Sequence, residues 1–159
     1  MTAPADTVSA VGTARRLQAL AVAGWPVSRL CRETGLSPYR VDRLLMGVTR
    51  AVPVDDARTV AAVYDRLSTV SPGVHGVSHI AARAARERAY TARWAPAAAW
   101  DDDTIDDPAT IPQWTGHCGT TRGADAHDRD GIPLCPPCED ALYRRRLRDA
   151  AHAARRTHA

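Results

Sequence analysis

The sequence predicts an all-α protein, and three observations carry that expectation. Apolar residues recur at helical spacing through most of the first 94 positions. Ser and Pro stand where helices would start, and Gly stands where they would stop. Ala supplies much of the apolar content and Phe is absent, which suits one small helical core and not a large α/β enzyme core. At 159 residues the chain has room for one compact domain with a satellite, or for two small domains.

The elements are taken in chain order. Residues 1–6 read as a disordered tail. Residues 7–23 carry Val8, Val11, Leu17, Leu20 and Ala21 at helical spacing, with Gly24 as the stop. Pro26 opens a second helix that ends at Thr34; Gly35 follows, at a helix end where positive φ is accessible without a Cβ. Ser37 is an N-cap with Pro38 at the first helical position, so a third helix runs to about Met46 and stops at Gly47. Residues 48–53 form a connector. Asp55 caps a fourth helix with Val60, Val63, Tyr64 and Leu67 on one face. After a Pro/Gly turn at 71–76, Ser78 caps a fifth helix, rich in Ala and Arg, from Ile80 to about Trp94.

Residues 7–94 are therefore one expected domain. Residues 95–113 are rich in Pro and Asp and have no helical period, so they read as a linker or an ordered loop. Trp94, Trp100 and Ile105 are able to fold that loop back onto the fourth and fifth helices. Residues 114–159 form a Cys/His module followed by a terminal Arg-rich helix, roughly 139–156, and a frayed tail containing His.

All 21 basic residues are Arg. A GC-rich genome would account for part of that preference, so Arg richness by itself says little. Its placement says more. Residues 1–50 are net +4, residues 77–99 net +3, residues 100–113 net −5 and residues 139–159 net +3. That alternation suits a basic face for a polyanion, set apart by an acidic stretch. No apolar run approaches a membrane span, and no charged segment followed by a hydrophobic one marks a signal peptide. A cytoplasmic protein is expected, without membrane association. In a reducing compartment the four Cys call for an explanation other than disulfides.

The densest signal lies in residues 27–46, VSRLCRETGLSPYRVDRLLM. Leu30, Leu36, Val41 and Leu44 fall where two crossed helices meet, and Cys31 is the small residue at their approach. Trp25 reads as a core anchor between the first and second helices. This is the pattern of a helix-turn-helix, whose second helix enters the DNA major groove. By spacing, Ser37, Tyr39, Arg40, Asp42 and Arg43 face outward, while Val41, Leu44 and Leu45 face inward. Arg can donate two hydrogen bonds to guanine. Tyr39 suits a phosphate or a thymine methyl, and Asp42 can accept from cytosine or orient Arg43. Ser28, Arg29 and Arg50 are placed for phosphate contacts.

The segment GWPVSRLCRETGLSPYRVDRLLMG, followed by VDDARTVAAVYDRL, resembles the phage repressor/Cro-like helix-turn-helix group, in particular short regulators of actinobacteria and their phages. The resemblance covers about residues 13–67. It implies a bundle of four or five helices and sequence-specific binding to double-stranded operator DNA, often as a homodimer, in transcription regulation. Thr34 departs from the pattern, being less apolar than the usual occupant. The segment WAPAAAWDDDTIDDP also resembles the stretch that comes after such domains in that group.

The second constellation is HCGTTRGADAHDRDGIPLCPPCEDA. Cys135 and Cys138 form a C-x2-C that lets two thiolates reach one tetrahedral metal. With Cys118 and His127 they complete a Cys3His set, the composition of a structural zinc site, and His117 is an alternative to Cys118. A segment this short has little core, so metal binding would supply its stability. The pattern CGTxxGxxxHxRxGxxxCxxCxxA, from Cys118 to Ala141, resembles a small module of actinobacterial and actinophage proteins; Ala124 stands where that module has an aromatic. The resemblance implies a folding module or an auxiliary nucleic-acid contact. A protein-interaction adaptor built on the module is the alternative. HDRDGIPLCPPC also resembles part of the endonuclease VII class of ββα-metal nucleases. That class usually has a second upstream Cys pair and an Asp-His step where this chain has Asp125-Ala126. The chain shows no Gly-rich phosphate loop and no Ser/His/Asp arrangement, so neither catalysis nor a small-molecule substrate is expected.

Overall fold

A computed structural model gives the fold of residues 6–112 and 114–157. The expected disorder of residues 1–5 and the tail at 158–159 lie outside the described residues. The chain divides into two compact units, at Ile111 and Pro112.

The first unit is mostly helical. Its elements are β1 (Thr7–Ser9), α1 (Val11–Ala23), α2 (Val27–Thr34), α3 (Pro38–Leu45), β2 (Ala51–Pro53), α4 (Val54–Leu67) and α5 (His79–Thr91). Helix α1 is the central element, packing against α3, α4 and α5. Leu17, Leu20, Trp25, Leu30, Leu45, Val60 and Leu67 are fully buried in one core.

Four boundaries differ from the sequence reading. Residues 7–9 are not the start of the first helix, and residues 51–53 are not a plain connector. They pair as an antiparallel two-stranded sheet with Val8 opposite Val52. Ala10 N–H donates to the Arg50 carbonyl and Val54 N–H to the Asp6 carbonyl, extending the pairing at both ends. A pairing between segments more than forty residues apart leaves no local period to read. Helix α4 begins at Val54, so Asp55 lies inside its first turn with Asp56, where carboxylates favour the helix dipole, and not at the cap. Helix α5 ends at Thr91, because Arg93 turns left-handed with φ 57°. Trp94 N–H then donates to the Ala89 carbonyl, which turns the indole into the core.

Residues 97–110 belong to the first unit as an ordered loop on α1. Ile105 is fully buried in the core. Arg15 donates to the carbonyls of Ile105, Asp107 and Thr110 at 2.7–2.9 Å and lies 4.3 Å over the Trp100 ring. Arg16 clamps Asp106 through two hydrogen bonds, at 2.5 and 2.9 Å. That carboxyl is held below the ordinary aspartate value by the Arg16 hydrogen bonds, against the opposing effect of burial. A Cβ on Gly12 would collide with Asp106 Oδ1, so the absent side chain is what admits the loop. The loop is docked chiefly by the first helix; it was expected to fold onto the fourth and fifth.

The second unit contains α6 (Thr121–Arg129) and α7 (Pro136–Thr157) packed on each other. Helix α6 was not anticipated. Its start is set by Thr120, whose hydroxyl accepts from Gly123 N–H at 3.0 Å. Helix α7 starts at Pro136, three residues before the expected start, which brings Cys138 into its first turn. No described helix is long and apolar enough to cross a membrane.

Candidate metal centre and candidate nucleic-acid interface

In the second unit three chain segments converge on one point. Cys118 sits in a turn between Gly116 and Gly119, both at positive φ. His127 lies in the last turn of α6. Cys135 precedes α7, and Cys138 N–H donates to the Cys135 carbonyl at 2.9 Å, folding the two thiols to the same side. The donor atoms of Cys118, His127, Cys135 and Cys138 all lie within 4.8 Å of one another. Donors placed tetrahedrally around an ion at ~2.0–2.3 Å stand about 3.5–3.8 Å apart, so the cluster has the dimensions of a metal site. His117 is not part of it; its carbonyl instead accepts from the Thr120 hydroxyl at 2.7 Å.

The imidazole is oriented as a ligand requires. His127 Nδ1 lies 3.3 Å from the Ile132 carbonyl, and Nε2 lies 3.3 Å from Cys118 Sγ. A carbonyl can only accept, so Nδ1 carries the proton and Nε2 presents its lone pair to the cluster. His127 is 1% exposed, and Cys138 is fully buried. The three thiols do not share one environment. Burial acts to raise the Cys118 thiol, but hydrogen bonding with Thr115, His127 and Cys135 outweighs it and the net shift is downward. The Cys135 thiol is pushed up to about 12, first by burial and then by the neighbouring Cys118 and Cys138. The Cys135 thiol thus resists ionising by itself, and a divalent cation beside it would reverse that preference. The four residues could therefore hold a metal ion. Gly123 makes the convergence possible: a Cβ there would collide with the His117 carbonyl, so α6 could not approach the Cys118 turn.

In the first unit, α2 and α3 are joined by Gly35, Leu36 and Ser37. Gly35 takes φ 72°, and the Ser37 hydroxyl accepts from Arg40 N–H at 3.3 Å. Thr34, the departure noted in the sequence, uses its hydroxyl: it donates to the Leu30 carbonyl at 2.7 Å and accepts from Leu36 N–H at 3.3 Å. Leu36, Val41, Leu44 and Leu45 are buried. Cys31 packs at the edge of the core and burial raises its thiol, as befits a small apolar filler.

The candidate contact residues fall into two groups. Tyr39 is 70% exposed, and the Arg43 guanidinium lies 5.6 Å from its ring, so these two form one outward pair on α3. Ser37 is exposed beside them, and Arg50 is exposed on the segment before β2. The others are tied to neighbouring elements. Arg40 is paired with Asp56 of α4, and Asp42 with Arg88 of α5 at 3.0 Å. Arg29 donates to Glu33 at 2.9 Å and to the His75 carbonyl at 2.8 Å, whereas Ser28 beside it is exposed, like Ser37 and Arg50. Glu33 also accepts from Arg66 at 3.0 Å, and hydrogen bonds from Arg29 and Arg66 hold its carboxyl below the ordinary value. Asp42 thus pairs with Arg88 and not with Arg43, a partner 46 residues away that no spacing along α3 could reveal.

Comparison with protein-family models, curated proteins and solved structures finds no match to this chain.

Proposed function

We propose that the first unit is a sequence-specific double-stranded DNA-binding domain, with α2 and α3 as its helix-turn-helix and α3 as the recognition helix, and that the protein regulates transcription. The observation that carries this reading is the division of α3. One side is buried through Val41, Leu44 and Leu45, while the other presents the Tyr39–Arg43 pair. A helix with its side chains is about 10–12 Å across, which a major groove of about 12 Å width admits. Arg43 is the base-reading residue, Tyr39 contacts a phosphate or thymine methyl, and Arg40 and Asp42, held by Asp56 and Arg88, fix the helix on its scaffold. We assign zinc to the second unit, because three thiolates and one imidazole suit its tetrahedral preference. Bound there, the ion supplies fold stability. In this reading His127 serves as a metal ligand beside Cys118 and not as a nuclease base.

The test is fluorescence anisotropy with a selected duplex and a scrambled one. Arg43→Ala should cost about 1–3 kcal/mol on the selected duplex and leave the scrambled one almost unchanged. Equal losses on both would remove Arg43 from base reading.

A further inference from the structure

A cavity of about 340 Å³ opens beside the α2–α3 pair. Its walls are Trp25, Val27 at the start of α2, Leu45 at the end of α3, and Trp94. Toward α5 the wall is made of the small side chains Ala81, Ala84 and Ala85, together with Arg88 of the same helix. Among the described lining residues, Arg88 is the one that carries a charge. Its guanidinium lies 5.6 Å over the Trp94 ring, and its Nη2 pairs with Asp42 Oδ1 of α3 at 3.0 Å. The Trp25 indole N–H is buried with no hydrogen-bond partner among the described residues. Apolar walls, two aromatic rings and one cation are the composition of a small-ligand site.

We propose that this cavity binds a small aromatic carboxylate, whose ring lies among Trp25, Leu45 and Trp94 and whose carboxylate pairs with Arg88. The ligand anion and Asp42 compete for one guanidinium. Binding therefore releases Asp42, leaving an unpaired negative charge on the recognition helix beside Arg43. The consequence for DNA rests on the function proposed above: the ligand weakens duplex binding. The ligand site itself does not rest on it.

The probe is 2-naphthoate, with 2-naphthamide as its neutral counterpart, followed by calorimetry and Trp fluorescence on the full chain. The carboxylate should bind at least about tenfold more tightly than the amide, the ratio a charge-assisted hydrogen bond gives. Arg88→Met should abolish that ratio. Asp42→Asn, which removes the competitor, should tighten naphthoate binding severalfold. Ala85→Leu should fill the cavity and abolish binding of both compounds. Absence of naphthoate binding, an equal affinity for the amide, or an Asp42→Asn variant that binds no better would each overturn the proposal. In the presence of naphthoate, affinity for the selected duplex should fall by up to about fivefold, the measure of an exposed ion pair. Naphthoate binding without any DNA binding would leave the ligand site standing and overturn the DNA reading alone.

Discussion

The two units are held together by different chemistry. The first has a continuous apolar core in which Leu17, Leu20, Trp25, Leu30 and Ile105 are fully buried. The second has a core of Ala124, Cys135 and Cys138, with Cys118 and Leu142 packed against it. A cluster that small contributes little apolar burial, and a metal ion held by Cys118, His127, Cys135 and Cys138, as proposed above, would supply what it lacks. On that proposal the two units should fail in different ways.

The largest expected effect is loss of the second unit when its donors are removed. Cys135→Ser with Cys138→Ser should abolish metal binding and, with it, the amide protection of α6 and α7. Apparent binding energies of structural zinc are about 10–16 kcal/mol, well above what the small core could replace. The first unit should keep its protection. Elemental analysis and hydrogen exchange on the full chain check both halves; protection of α6 and α7 in metal-free protein would show that apolar packing suffices.

The converse perturbation is smaller. Leu20→Ala should cost about 2–5 kcal/mol of first-unit stability by opening a void in the core, with metal content unchanged. Denaturant unfolding followed by Trp fluorescence reads the first quantity, and elemental analysis the second.

Gly123→Ala should act on the second unit alone. The added methyl must displace either α6 or the His117 backbone, separating His127 from Cys118. A metal chelator should strip this variant at a lower concentration than the wild type, and equal resistance would mean that the two segments yield without cost.

The smallest effect concerns pH. Asp106 and Glu33 both have carboxyls lowered in the folded protein by Arg partners, Arg16 for the first and Arg29 with Arg66 for the second. Their folded values lie below the unfolded ones, so their stabilisation is present above about pH 4 and is lost as pH falls through the folded values. The Asp106 side chain is 67% exposed, so its share is about 1 kcal/mol or less. Asp106→Asn should flatten the acid limb of first-unit stability slightly, and an unchanged limb would assign it to other carboxylates.

Legibility in the sequence divides along similar lines, between local and distant causes. Helices α2 and α3 could be read almost to the residue, because Gly35, Ser37 and Pro38 act within a turn of where they sit. Cys135 and Cys138 could be named because C-x2-C is a local pattern, and Cys118 and His127 because they fall within the same 21-residue window. Helix α6 escaped notice: its sequence TRGADAHDR has no apolar stripe, and it packs through Gly123, Ala124, Ala126 and the imidazole itself. The strand pair escaped for another reason, since each strand is three residues long and finds its partner across three helices. Charge was the least legible property. Arg15 and Arg16 counted toward a basic face in the sequence, but both are turned onto the acidic loop. Arg40 is likewise engaged with the Asp56 carboxylate. Partners that distant are set by the fold, so a sum over a segment overstates the charge it offers to a ligand.

The central claim is that α3 reads DNA sequence, and selection of bound duplexes from a random pool tests it most directly. The full chain should enrich one motif, and Arg43→Ala should lose the preference at one base pair of it while keeping the others. A pool that remains random at physiological salt, with folded wild-type protein, would contradict the account.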